Sequence, residues 1–248
     1  MREPPPVTSA FVTFDAQDSG CLSYGVEAEG RRLFVKKATT PAARVSLVRA
    51  AQLHAAVKHP AIVRPERVLS GPDGLTLVYP WRYGRVLNQA TVDGTDRTAL
   101  AKFQRLAIPD VEAALEAILD AHRTVAAAGF VAVDLYDGCF LYDFSARQMQ
   151  LIDLDEYRPG PFILDADRLP GSRRYMAPEE FVRGAVIDQR TTVYALGRTL
   201  HHLLDSPTGW RGTAAQRAVA DRATRASAAD RYSHVAALAR AWHLAATA

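Results

Sequence analysis

The sequence predicts an α+β fold, with a small antiparallel β portion first and a mostly helical portion after it. Three observations predict it. The first third carries short apolar runs joined by Gly- and Asp-containing turns. Beyond the break Pro80-Trp81-Arg82-Tyr83-Gly84, apolar residues recur at helical spacing instead. Inside that helical portion, one strand–turn–strand stretch, Gly129 to Tyr157, has a carboxylate at each end. With 248 residues and 48% hydrophobic content, the chain can bury a sizeable core.

In chain order, the Pro-rich residues 1–10 read as a loose lead-in. Phe11 to Phe14, Leu22 to Ala28 and Arg32 to Lys36 read as a strand meander, turning at Asp18-Ser19-Gly20 and Glu29-Gly30. Pro41 to Val57 is an Ala-rich helix stopped by His59-Pro60, and Ile62-Val63 opens an extended piece. No acid occurs between Glu29 and Glu66. Val68-Leu69 and Leu75 to Tyr79 flank the turn Gly71-Pro72-Asp73-Gly74 as a hairpin. Pro109-Asp110 starts an amphipathic helix with Val111, Ala114, Leu115, Ile118 and Leu119 on one stripe. Residues 156–176 show no regular pattern, and a helix is expected near Pro178. Val193 to Leu204 is apolar nearly all round, as a buried helix would be. Two helices are expected in 213–247, around Ala229-Asp230-Arg231-Tyr232.

Composition narrows the partners. Net charge is +3 and the basic residues are scattered without a run of four, so nucleic acid is not an expected partner. No stretch has the length of a membrane span or a signal peptide. The two cysteines, Cys21 and Cys139, set no metal-ligand spacing and read as free thiols. These features predict a soluble cytoplasmic protein.

The chemistry concentrates in the Gly129–Tyr157 stretch. Asp134 precedes its first strand and Asp153 follows its second, so a hairpin would bring the two carboxylates to one edge. Paired carboxylates there suit a divalent ion and a general base; a surface hairpin with solvated acids is the competing reading. Lys36 ends an apolar strand, where a lysine is more often a solvated charge. His122-Arg123 lies within a helix and reads as structural; His201-His202 reads as capping or packing, and Asp165 with Asp167 as a solvated loop face.

The order of these parts resembles the protein kinase family, in particular atypical bacterial Ser/Thr kinases of eukaryotic type. Lys36 in Leu33-Phe34-Val35-Lys36 matches the phosphate-binding lysine, and His59-Pro60-Ala61-Ile62-Val63 the segment between helix C and strand four. Asp134 in Val131 to Leu135 matches the catalytic aspartate, and Asp153 in Leu151 to Asp155 the metal-binding one. Gly171-Ser172-Arg173-Arg174-Tyr175-Met176-Ala177-Pro178-Glu179 resembles the P+1 loop and Ala-Pro-Glu end of the activation segment. Val193 to Gly197 resembles the start of helix F, and Arg231 the late arginine that pairs with the Ala-Pro-Glu glutamate, here Glu179. The resemblance implies one kinase-like domain, with an N-lobe over 11–80 and a C-lobe over 81–248. It further implies ATP with Mg²⁺ or Mn²⁺, a base at Asp134, a nucleotide site including Gly20, Tyr79, Pro80 and Trp81, and a substrate loop at Ser172, Arg173 and Arg174.

Several positions depart from the pattern. No G-x-G-x-x-G precedes Lys36, and only Gly20 and Gly25 could serve the loop over phosphates. Ala50 stands where the lysine's helix glutamate is expected, so Lys36 needs another partner, such as Asp153 or the nucleotide. His-Arg-Asp has become Ala132-Val133-Asp134, and Tyr136 replaces the lysine that follows. Cys139 replaces the metal-binding asparagine and is a poor ligand for magnesium; Asp137 or Asp155 could supply the missing oxygen. Thr192 replaces an aspartate of helix F. Three readings stay open: an atypical Ser/Thr protein kinase, a pseudokinase that binds nucleotide or a protein partner, and a small-molecule phosphotransferase. The Gly171–Glu179 segment favours a protein substrate or partner over a small molecule.

Overall fold

A computed structural model describes residues 4–14, 19–72 and 74–247. Asp18 and Asp73, each assigned above to a turn, lie outside them, as do Met1 to Glu3. The first third builds a five-stranded antiparallel sheet from β1 (Ala10–Phe14), β2 (Cys21–Ala28), β3 (Arg31–Ala38), β4 (Arg67–Gly71) and β5 (Gly74–Pro80), in spatial order β1-β2-β3-β5-β4. The helix α1 (Pro41–Ala56) lies between β3 and β4 in sequence.

Period-two alternation gives this sheet two buried faces. Tyr24, Val26, Leu33, Val35 and Val78 pack together on one. Leu77, Tyr79 and Ala38 pack on the other, against Ala43, Leu47 and Ala50 of α1. Within the lead-in, Tyr24 Oη donates to the Pro5 carbonyl at 2.8 Å, and Val7–Ser9 form a 3-10 turn. Helix α1 starts where expected, because Pro41 sits at its first position and Thr40 Oγ1 accepts from Ala43 N at 3.2 Å.

The connector opens into a region to which sequence reasoning assigned no strand. It holds β6 (Arg85–Val86), a small hairpin of β7 (Gln89–Thr91) and β8 (Gly94–Asp96), and α2 (Thr98–Phe103). Next come α3 (Ile108–Ala127), β9 (Phe130–Val131), β10 (Phe140–Asp143), β11 (Gln148–Leu151), β12 (Arg158–Pro159) and β13 (Phe162–Ile163). The helix expected near Pro178 is a single 3-10 turn, Pro178–Phe181. The chain then forms β14 (Val186–Ile187), α4 (Gln189–Leu204), α5 (Ala214–Ala223) and α6 (Val235–Ala246).

Helix α4 is central and has no exposed residue along its length. Its Val193, Leu196 and Leu200 join one core with Leu115 and Ile118 of α3 and Leu238 and Trp242 of α6. The segment between α1 and β4 is bonded to β11 of this later portion: Val63 N donates to Leu151 O at 3.0 Å, and Leu151 N to Ala61 O at 2.7 Å. No helix among the described residues is long and apolar enough to cross a membrane.

Candidate functional site

Lys36 lies at the middle of the sheet, opposite Ser23 of β2 and Leu77 of β5. Alternation turns its side chain to the face that carries α1, where only 4% of the residue is exposed. Its Nζ lies 2.5 Å from Asp153 Oδ1 and 2.5 Å from Asp155 Oδ2. Burial opposes the ammonium charge, but the two carboxylates outweigh it and hold the lysine pKa well above its ordinary value. Burial pushes the Asp155 carboxyl up to about 6, against the pull of Lys36.

The β10–β11 hairpin delivers these acids. Phe140 pairs with Leu151 at its open end, and Asp143 Oδ1 closes its turn by accepting from Ser145 N and Ala146 N at 2.8 and 2.9 Å. Both flanking aspartates are held left-handed, Asp134 at φ 60° and Asp153 at φ 57°. Few residue types other than glycine tolerate this backbone, and aspartate is one. Between them sits Cys139, whose buried Sγ donates to the backbone carbonyl of Asp134 at 3.3 Å and contacts that of Asp153 at 3.8 Å. Burial, with Asp134 and Asp153 nearby, raises the Cys139 pKa and keeps it a neutral thiol. The cysteine therefore ties the two aspartate-bearing segments together.

Of the other expected positions, Asp137 is fully buried and points to different partners. It accepts from Asn88 Nδ2 at 2.8 Å and from Arg174 Nη2 at 3.0 Å. Thr192 Oγ1 accepts from Ala132 N at 3.0 Å, anchoring the strand end that leads to Asp134 onto α4. Gly171 passes directly over Asp134: a Cβ there would lie 3.4 Å from Asp134 Oδ1. Ser172 O accepts from Tyr175 N at 2.8 Å, Arg173 is exposed, and Arg174 is held from both ends by Asp137 and Arg198. Glu179 and Arg231, 52 residues apart, make a bidentate pair at 2.7 and 2.8 Å. Arg231 also donates to the carbonyls of Arg190, Arg225 and Ala226, which uses its full fork of donors.

At the sheet edge of the site, Tyr79 packs edge-on to His54 and tilted to Phe34, with ring centroids 5.8 and 6.1 Å apart. Trp81 meets Phe11 edge-to-face at 4.9 Å, and Trp81 N donates to Arg32 O at 3.1 Å. Gly25 makes room for that pair, since a Cβ there would fall 2.7 Å from each ring. Gly20 O accepts from Thr39 N and Thr39 Oγ1 at 2.9 and 2.8 Å. Sequence reasoning missed the aromatic set of Phe11, Phe14 and Phe34, although Phe34 stands two residues before Lys36 and so shares its face. It also missed Glu156, whose carboxylate accepts from Ser46 Oγ and, at 2.8 Å, from Arg49 Nη1, both on α1.

Two cavities, of about 250 and 670 Å³, lie on the helical portion, the first beside Phe130 and His234, the second between α3 and α6. Neither is lined by Lys36, Asp134 or Asp153. Among the described residues, no group of three or more His, Cys, Asp or Glu side chains is arranged to hold a metal ion. No protein-family model and no curated protein matches the chain.

Proposed function

We propose that the chain is an atypical, two-lobed Ser/Thr protein kinase that transfers the γ-phosphoryl group of ATP to a protein hydroxyl. The observation that carries this is the buried Lys36–Asp153 pair, formed across 117 residues and tied through Cys139 to Asp134. A lysine paired with Asp153, with Asp134 on the segment that Cys139 ties to it, supplies the minimum that phosphoryl transfer needs: a cation for phosphate oxygens, a hard oxygen ligand and a base. Lys36 holds the α- and β-phosphates. Asp134 accepts the proton of the acceptor hydroxyl as that oxygen attacks the γ-phosphorus and ADP leaves. The Gly171–Glu179 segment, which crosses Asp134, receives the acceptor peptide, and Ser172 suits a Ser/Thr acceptor.

A divalent ion fits only in part. Asp153 is paired with Lys36 through Oδ1, but over a third of its side chain is exposed and it can offer an oxygen, whereas Asp155 is buried against Lys36 and Asp137 against Arg174. Magnesium is often held in this way, by one or two carboxylates together with substrate phosphates. When bound, it would neutralise developing phosphate charge.

Thermal unfolding with ATP, with and without Mg²⁺ or Mn²⁺, tests the proposal. A ligand at 100 times its Kd stabilises the folded state by about 2.7 kcal/mol. The expected result is metal-dependent stabilisation of the wild type that Lys36→Ala and Asp153→Asn abolish, followed by phosphate transfer to a generic protein acceptor. If millimolar ATP shifts nothing, the kinase reading fails. A second reading, a pseudokinase that retains nucleotide or a protein partner without transfer, is favoured by Cys139, where a neutral thiol occupies the asparagine position. ATP stabilisation without phosphate transfer would select it.

A further inference from the structure

Helix α1 contains no acid, and Ala50, on its buried face, offers Lys36 no charge. A buried ammonium still requires a counter-carboxylate, because its desolvation is otherwise uncompensated. Two carboxylates touch it, and they differ in one decisive respect. The Asp153 side chain is 37% exposed and that of Asp155 only 8%. Asp153 can therefore reach a ligand from solvent while it touches the lysine; Asp155 is placed to hold the lysine and little else. The place of Asp155 is itself secured, since the next residue, Glu156, is bound to Ser46 and Arg49 of α1.

We propose that Asp155 is the positioning carboxylate of Lys36, standing on the turn after β11 in place of an acid on α1. The inference rests on the kinase reading for what Lys36 is positioned to do, but the pairing can be tested apart from it. Calorimetric ATP affinity is measured for the wild type, Asp155→Asn and Asp155→Glu. Asp155→Asn is expected to weaken ATP by about tenfold or more, as loss of a charged hydrogen-bond partner does. Asp155→Glu, which keeps the carboxylate, is expected to recover most of it. Wild-type affinity in Asp155→Asn, or no better binding by Asp155→Glu than by Asp155→Asn, would overturn the proposal.

The second arm is a urea-unfolding cycle without nucleotide, using Lys36→Met, Asp155→Leu and the pair together. Pairing predicts that the double variant folds better than the two single losses sum to, by about tenfold or more in the folding equilibrium. Additive losses, or a double variant that loses more than the two single losses sum to, would overturn it. If the wild type binds no ATP, the kinase reading falls, and the cycle alone decides whether Asp155 anchors Lys36.

Discussion

Glu179 and Glu180 are neighbours with opposite electrostatics. Burial pushes the Glu179 carboxyl up, but Arg231 and Thr191 more than offset this and hold it below its ordinary value. Glu180 is only 3% exposed, and burial raises its pKa to about 8, although Ala177 N donates to its Oε2 at 2.6 Å. Between the ordinary value of 4.5 and about 8, the folded chain therefore holds a proton that the unfolded chain has lost. Stability from this group is complete below 4.5 and is lost as pH rises through about 8. Glu180→Gln keeps an oxygen for Ala177 N and removes the titration. Its melting temperature should fall less than that of the wild type between pH 5 and 9, and parallel curves would refute the shift. Residue-scale legibility was uneven. The Glu179–Arg231 pair was expected only through the kinase resemblance of Ala177-Pro178-Glu179 and the late Arg231, and the two side chains do meet. The Asp155–Lys36 contact could not be read, since nothing local says which carboxylate of Asp153-Leu154-Asp155 reaches an amine more than a hundred residues away.

Among the elements, α4 is fitted closely against α5. A Cβ at Gly197 would lie 2.7 Å from Ala223 Cβ and 2.8 Å from Thr224 Cγ2, so the glycine lets α5 approach closely. Gly197→Ala would gain up to ~1 kcal/mol of helix propensity, but overpacking costs about 1–3 kcal/mol. Net destabilisation in urea unfolding is expected, relieved in part by adding Ala223→Gly. Elements with a buried stripe were legible in the sequence: α1, α3 and the β10–β11 hairpin lie within a few residues of their expected bounds. The β7–β8 hairpin was not, because Gln89-Ala90-Thr91 is exposed throughout and has no apolar alternation to read. The 3-10 turn at Pro178 shared its start signals with a helix, but Val182 leaves the helical backbone at φ −126°, ψ 106°.

At the scale of the whole molecule, three histidines make the fold sensitive to acid. Burial lowers the pKa of His54, His122 and His202 to about 4. His122 is fixed as one tautomer: Nδ1 faces the Ile118 carbonyl at 2.7 Å and must carry the hydrogen, so Nε2 accepts from Tyr157 Oη at 2.7 Å. That bond joins α3 to the turn bearing Asp153 and Asp155, and protonating Nε2 removes the acceptor of the buried Tyr157 hydroxyl. The folded-state pKa values are depressed, so stability is full above the ordinary histidine value of 6.5 and is lost as pH falls toward about 4. Urea midpoints at pH 7 and 4.5 should differ markedly, and His122→Gln should narrow the gap; equal midpoints would contradict the assignment.

The bonds from Leu151 to Ala61 and Val63 also have a consequence for biosynthesis. The sheet, α1 and the segment 61–63 leave the ribosome long before β11, whose Leu151 bonds to that segment. At ~5–20 residues per second, the intervening ~90 residues impose a wait of roughly 4–20 s. Through that interval Lys36 lacks both of its acids, and the apolar flank of residues 61–63 stands open to whatever chaperone attends the nascent chain.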